Sequence, residues 1–113
     1  MQINGTIRLP GEIKNKDGKI YIRVQDSSLM DEPAITIAEI ELNYPEGKNE
    51  LPFKLKVEQQ VDPRSSYTLF VHLDLDHDKQ LSTGDWMHSQ AYSAIVNGQP
   101  VRNLDIFLRQ IVG

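Results

Sequence analysis

The chain has 113 residues, of which 39% are hydrophobic and 25% are charged, and its formal net charge is −4. This length suits a single domain, residues 1–113, with one hydrophobic core. The lysines and arginines are scattered, which argues against a nucleic-acid partner, and no apolar run approaches the roughly 18 residues of a membrane-spanning segment. The absence of cysteine excludes disulfides, thiolate zinc sites and a cysteine nucleophile.

Alternating apolar and polar residues, which are typical of β-strands, dominate the chain. In chain order, the predicted strands are residues 3–9, 20–25, 34–42, 53–58, 67–76, 91–96 and 102–112. Turn-forming pairs separate several of them, including Asp17-Gly18, Asp62-Pro63 and Asn97-Gly98. Seven short strands with regular turns predict an all-β fold, an antiparallel seven-strand β-sandwich of immunoglobulin-like or transthyretin-like shape.

Two of the predicted strands are irregular. In the third, the apolar positions change parity between Ile37 and Ile40, which predicts a β-bulge near Ala38. The last segment, residues 102–112, fits a strand and a helix face equally well. We favour a strand, because the preceding strands need a closing partner and no other helix is evident.

The segment from Asp74 to Asp85 spaces its oxygen-bearing side chains as a twelve-residue calcium loop does. The predicted Ca²⁺ ligands are Asp74, Asp76, Asp78, the backbone carbonyl of Gln80, Ser82 and Asp85. Lys79 stands where such loops usually carry glycine, and Asp85 is shorter than the usual closing glutamate. The alternative is a solvated acidic hairpin without an ion, because Asp74 and Asp76 lie on the outward face of the fifth predicted strand.

Other chemistry-bearing residues match no functional pattern. His72, His77 and His88 have no zinc-ligand spacing, so we expect exposed strand and loop histidines. Trp86 either anchors a partner from the surface or packs beneath the acidic loop as satellite core. No Gly-x-Ser-x-Gly elbow marks a serine nucleophile. We therefore expect a protein without catalytic activity.

Several short phrases of the chain occur in the same order as in one family pattern. They are VQDSSLMDEPA at 24–34 followed by IAE at 37–39, PFKL at 52–55, VDPRSSY at 61–67 and QAYSA at 90–94. These phrases resemble those of the YbaY/YscW-type lipoproteins, which include type III secretion pilotins. The resemblance extends over about residues 3–96, and the acidic segment 74–85 departs from the pilotin pattern.

The resemblance implies a β-sandwich attached by lipid to the outer membrane, where pilotin members chaperone a secretin subunit. The expected function is a binding or assembly accessory role in bacterial secretion or the envelope, with a secretin or another envelope protein as partner. Strand addition at an exposed sheet edge is the expected mode of recognition. A calcium-braced structural module is the alternative. No lipobox cysteine is present, so the chain as given would not carry the lipid itself. The first residues, MQING, lack the features of a signal peptide, so we expect a periplasmic or outer-membrane location if a leader was removed and a cytoplasmic one otherwise.

Overall fold

The computed structural model of the protein describes residues 1–9, 18–27, 35–45, 47–75 and 84–111. Its strands are β1 Gln2–Arg8, β2 Lys19–Asp26, β3 Ile35–Asn43, β4 Glu50–Lys56, β5 Tyr67–Asp74, β6 Trp86–His88, β7 Tyr92–Val96, β8 Gln99–Pro100 and β9 Leu104–Gln110. The all-β class is confirmed, and the ambiguous last segment contains a strand. In the described ranges there is no helix suited to crossing a membrane.

The strands form one mixed sheet rather than two stacked antiparallel ones. Its order is β3-β2-β5-β6-β9-β1-β4, and β7 pairs with both β5 and β8. The two end strands, β3 and β4, contact each other, so the sheet curls into a nearly closed barrel. The predicted sandwich is therefore wrong in its layering. It is also wrong in strand direction, since β1 and β9 pair in parallel.

The predicted number of seven strands is wrong as well, because the short strands β6 and β8 add to it. β6 contains Trp86, Met87 and His88 and lies between β5 and β9. Three residues are too few to show an alternating pattern, so the sequence does not reveal this strand. Yet β6 connects the two halves of the barrel.

The core lies on the concave side of the sheet and is built from the alternate residues that the pattern predicted. Its fully buried members include Ile3, Ile7, Ile20, Ile22, Val24, Leu55, Val71, Leu73 and Ile106. Burying one such side chain contributes about 1.5–3 kcal/mol. The alternation therefore specifies which side of each strand faces inward.

The predicted β-bulge is confirmed at the junction of β2 and β3. Val24 pairs with Ala38, whereas the next residue, Gln25, pairs with Thr36, which leaves Ile37 as the extra residue. Beyond the bulge, β3 keeps Ile40 opposite buried Ile22. The bulge thus restores the register that turns the apolar side of β3 towards the core.

The predicted turn at Asn97-Gly98 joins β7 to β8 as a two-residue hairpin. Both residues have positive φ, 51° for Asn97 and 75° for Gly98, as the type I′ hairpin turn requires. We expect Gly98→Ala to lower the free energy of unfolding by about 1 kcal/mol, because a Cβ is disfavoured at this φ. Urea denaturation measures the loss, with exposed Ser93→Ala as control. An unchanged midpoint for Gly98→Ala would contradict the prediction.

Candidate functional site

The fold brings together the first and last of the predicted calcium ligands. Asp74 is the last residue of β5, and Asp85 immediately precedes β6. A ligand atom of each lies within 4.8 Å of the other and of a ring nitrogen of His72. The remaining predicted ligands, Asp76, Asp78, Gln80 and Ser82, lie outside the described residues. Their part of the calcium prediction stays a prediction.

These three side chains, which we call the His-Asp-Asp cluster, are buried. The exposed fractions are 2% for His72, 0% for Asp74 and 1% for Asp85. The expectation of an exposed strand histidine is therefore wrong for His72, and the expectation of solvated carboxylates is wrong for both aspartates. His72 and Asp74 do lie on the outer face of β5, as the alternation predicts. At this end of the strand, however, the outer face is buried rather than exposed to solvent.

Asp85 connects three strand ends through hydrogen bonds. Its Oδ2 lies 2.8 Å from Nε2 of His72, and its Oδ1 accepts the backbone N–H of Leu75 at 3.1 Å. The backbone carbonyl of Asp85 accepts the N–H of Ile111 at 2.8 Å. Buried carboxylates are stable only when they are paired or hydrogen-bonded in this way. Asp85 therefore holds the end of β5 and the residue following β9 against the start of β6.

Aromatic and charged side chains surround His72 on the outer side of β2 and β5. The Tyr21 ring lies 5.9 Å from the His72 ring. Burial raises the pKa of the Tyr21 phenol, and the carboxylates of Glu41 and Asp74 raise it further. The phenol therefore stays protonated and can donate a hydrogen bond. Next to it, the Arg23 guanidinium lies 5.4 Å from the centre of the Phe70 ring.

Of the other two histidines, only His88 is among the described residues, and it is not a member of the cluster. His88, in β6, places its ring edge-on to Phe70 at 5.7 Å, and its Nδ1 lies 2.9 Å from the carbonyl oxygen of Gln90. His77 lies outside the described residues. Neighbouring Trp86 packs, partly buried, against the main core. The interpretation of Trp86 as core therefore fits better than that of a surface anchor.

A second candidate site is a cavity of about 760 Å³ where the two ends of the sheet meet. We call it the seam groove. Its apolar wall comes from Ile40 and Leu42 of β3, Phe53 of β4 and Leu104 of β9. Sequence reasoning missed this groove, because its apolar residues alternate along their strands just as core residues do.

Charged side chains line part of the seam groove. Arg8 Nε lies 2.5 Å from Asp105 Oδ1, and Arg8 Nη1 lies 2.8 Å from Glu50 Oε2. Lys54 of β4 adds a further positive charge to the lining. The ion pairs are solvent-exposed and contribute little to stability. They do give the groove polar groups that a bound segment can meet.

Both end strands also keep one edge without a strand partner within the described part of the chain. β3 pairs with β2 alone, and β4 pairs with β1 alone. Such edges offer backbone N–H and C=O groups to an incoming extended segment. The seam groove therefore lies between an apolar wall and two strand edges that have no strand partner among the described residues.

Comparison with known proteins identifies the family of this chain. A solved "Structure of an alternative pilotin from the type II secretion system of Vibrio cholerae" is similar, with a TM-score of 0.73 at 16% sequence identity, over 100% of this chain and 98% of that chain. At this identity the similarity shows the shared fold. A search of curated proteins gave no match. The family model described as "Type III secretion system lipoprotein chaperone (YscW)" matches residues 1–104. The chain therefore belongs to the YscW family of type III secretion system lipoprotein chaperones, which confirms the resemblance seen in its sequence.

Proposed function

We propose that this protein is a pilotin-type accessory protein that binds a segment of a secretin subunit and assists its assembly in the bacterial envelope. Membership in a lipoprotein chaperone family and the fold shared with a pilotin support the role. The observation that carries it is the seam groove, an opening of about 760 Å³ that joins an apolar wall to two strand edges.

The dimensions and chemistry of the seam groove suit a short peptide segment. Pockets of roughly 300–1,000 Å³ bury most of a small ligand's surface, so the groove can take a few side chains of a longer chain. Ile40 and Leu104 are partly buried and pack against the core, and they would lose further water on contact with apolar side chains of the partner. Arg8, Lys54 and Asp105 would orient the segment by charge.

A binding role of this kind uses surface recognition rather than chemistry. The side chains with the most reactive potential, those of the His-Asp-Asp cluster, are at most 2% exposed. In this arrangement they cannot touch a macromolecular substrate. The location we propose is the envelope, in keeping with the family of lipoprotein chaperones.

Peptides that tile the secretin of the same bacterium test the proposal by fluorescence anisotropy. We expect one segment to bind, and we expect Ile40→Glu to weaken its affinity at least about tenfold, equivalent to about 1.4 kcal/mol. The reason is that the new carboxylate would lose water in the apolar groove without a matched partner. Circular dichroism verifies that the variant is folded.

The matched control is Ile35→Glu. Ile35 is on the same strand, is 58% exposed and does not line the seam groove. Its replacement is expected to leave the affinity unchanged. The absence of any binding segment in the secretin, or equal losses in both variants, would contradict the proposed role of the groove.

A further inference from the structure

The His-Asp-Asp cluster places three metal-ligating side chains of two chemical kinds in one buried position. Imidazole nitrogen and carboxylate oxygen are both common ligands of divalent metal ions in proteins. We propose that His72, Asp74 and Asp85 form a binding site for one divalent metal ion. This site is separate from the seam groove and adds to the proposed pilotin-type function.

The spacing of the ligand atoms suits a single ion. Metal–ligand bonds of about 2.0–2.6 Å keep two ligands of one ion no more than about 5 Å apart. The candidate atoms of His72, Asp74 and Asp85 all lie within 4.8 Å of one another. Small side-chain adjustments are therefore sufficient to direct them at a common centre, and water can complete the coordination shell.

Ligand spacing in the sequence and side-chain burial in the structure independently indicate a metal site at Asp74 and Asp85. Asp74 and Asp85 are positions 1 and 12 of the calcium-loop spacing, which depends on residue order alone. The structure independently buries both aspartates and adds His72, which that spacing does not include. An acidic hairpin that merely faced water would leave these end residues exposed.

The preferred ion decides what His72 does. An oxygen-preferring ion such as Ca²⁺ would be held by the carboxylates, and His72 would keep Asp85 in position by hydrogen bonding. An ion that accepts nitrogen, such as Zn²⁺, would bind Nε2 of His72 directly and replace that hydrogen bond. In both cases the loss of His72 should weaken binding.

Isothermal titration of chelator-treated protein with Ca²⁺, Mn²⁺ and Zn²⁺, each alone, tests the site. We expect at least one ion to bind with 1:1 stoichiometry and to raise the melting temperature. Asp74→Asn and His72→Leu should each weaken that ion's binding about tenfold or more. Glu58→Gln, which changes an exposed carboxylate beyond the end of β4, is the control and should bind as the wild type does.

Amide chemical shifts of the wild-type protein provide a readout that does not depend on the folding of any variant. Addition of the binding ion should shift the signals of Leu75 and Asp85 most among the described residues. Preferential binding of Ca²⁺ would assign His72 the hydrogen-bonding role, and preferential binding of Zn²⁺ would make it a ligand. The proposal is overturned if none of the three ions binds at millimolar concentration, if the shifts centre elsewhere, or if folded Asp74→Asn keeps wild-type affinity.

Discussion

Replacement of Asp85 with alanine is expected to lower the free energy of unfolding by about 2–5 kcal/mol, because it leaves two buried polar groups without their partner, at about 1–3 kcal/mol each. His72 would lose the carboxylate that lies 2.8 Å from its Nε2. The N–H of Leu75 would lose its acceptor at 3.1 Å in the same step. Each polar group left buried without a partner carries a desolvation cost.

Chemical denaturation in the presence of a chelator measures this loss without any contribution from a bound ion. The control is Asp105→Ala, which removes a carboxylate of similar type from an exposed ion pair whose side chains are 43% and 50% accessible. It should leave stability nearly unchanged. Equal effects of the two substitutions would show that the buried pair is not the stabilising feature described above.

A double-mutant cycle separates the pair from the rest of the Asp85 contacts. In a His72→Leu background, Asp85→Ala should cost less than in the wild type, because no imidazole is left unpaired. Coupling between contacting residues is usually about 0.5–3 kcal/mol. Additive losses, with no coupling, would mean that Asp85 acts mainly through Leu75 and the backbone.

Replacement of Gly5 with alanine is the second substitution with a large expected effect, a loss of about 3 kcal/mol from overpacking. Gly5 in β1 pairs with Leu104 where β1 and β9 run in parallel. A Cβ at Gly5 would lie 2.5 Å from the carbonyl oxygen of Leu104 and 2.7 Å from its Cβ. Neither atom is at the end of a flexible side chain, so the strands themselves would have to move apart.

Gly47→Ala is the matched control, since it adds the same methyl group where no described residue other than its chain neighbours has an atom within 4 Å. Gly47 has a φ of 85°, so its substitution should cost about 1 kcal/mol through backbone strain alone. Urea denaturation of both variants compares the two effects. A smaller loss for Gly5→Ala than for Gly47→Ala would contradict the close approach of β1 and β9.

Features that depend on neighbouring residues in the chain were predictable. The bulge near Ala38 follows from a change in the parity of apolar positions, and the turn at Asn97-Gly98 follows from residues that tolerate positive φ. The concave side of each long strand is specified by alternation, because successive side chains of a strand point to opposite sides.

Only part of the His-Asp-Asp cluster could be predicted. The spacing of oxygen ligands along the chain identified Asp74 and Asp85 as candidates. That the two side chains lie close together depends on how the strands around them pair. His72 was missed because alternation distinguishes the two sides of β5 but does not say whether the outer side is covered. The seam groove was missed for a related reason, since Ile40 and Leu104 carry the same pattern as core residues.

The amino-acid sequence by itself determined the all-β class, the inward side of the long strands, the turn at Asn97-Gly98 and the family, because each depends on local order and residue type. Tertiary structure alone decided the parallel pairing of β1 with β9, the joining role of β6 and the contact of β3 with β4. These pairings unite segments far apart in the chain, and backbone hydrogen bonds between strands are nearly independent of side-chain identity. The choice of neighbour therefore rests on how all the strands together close around one core.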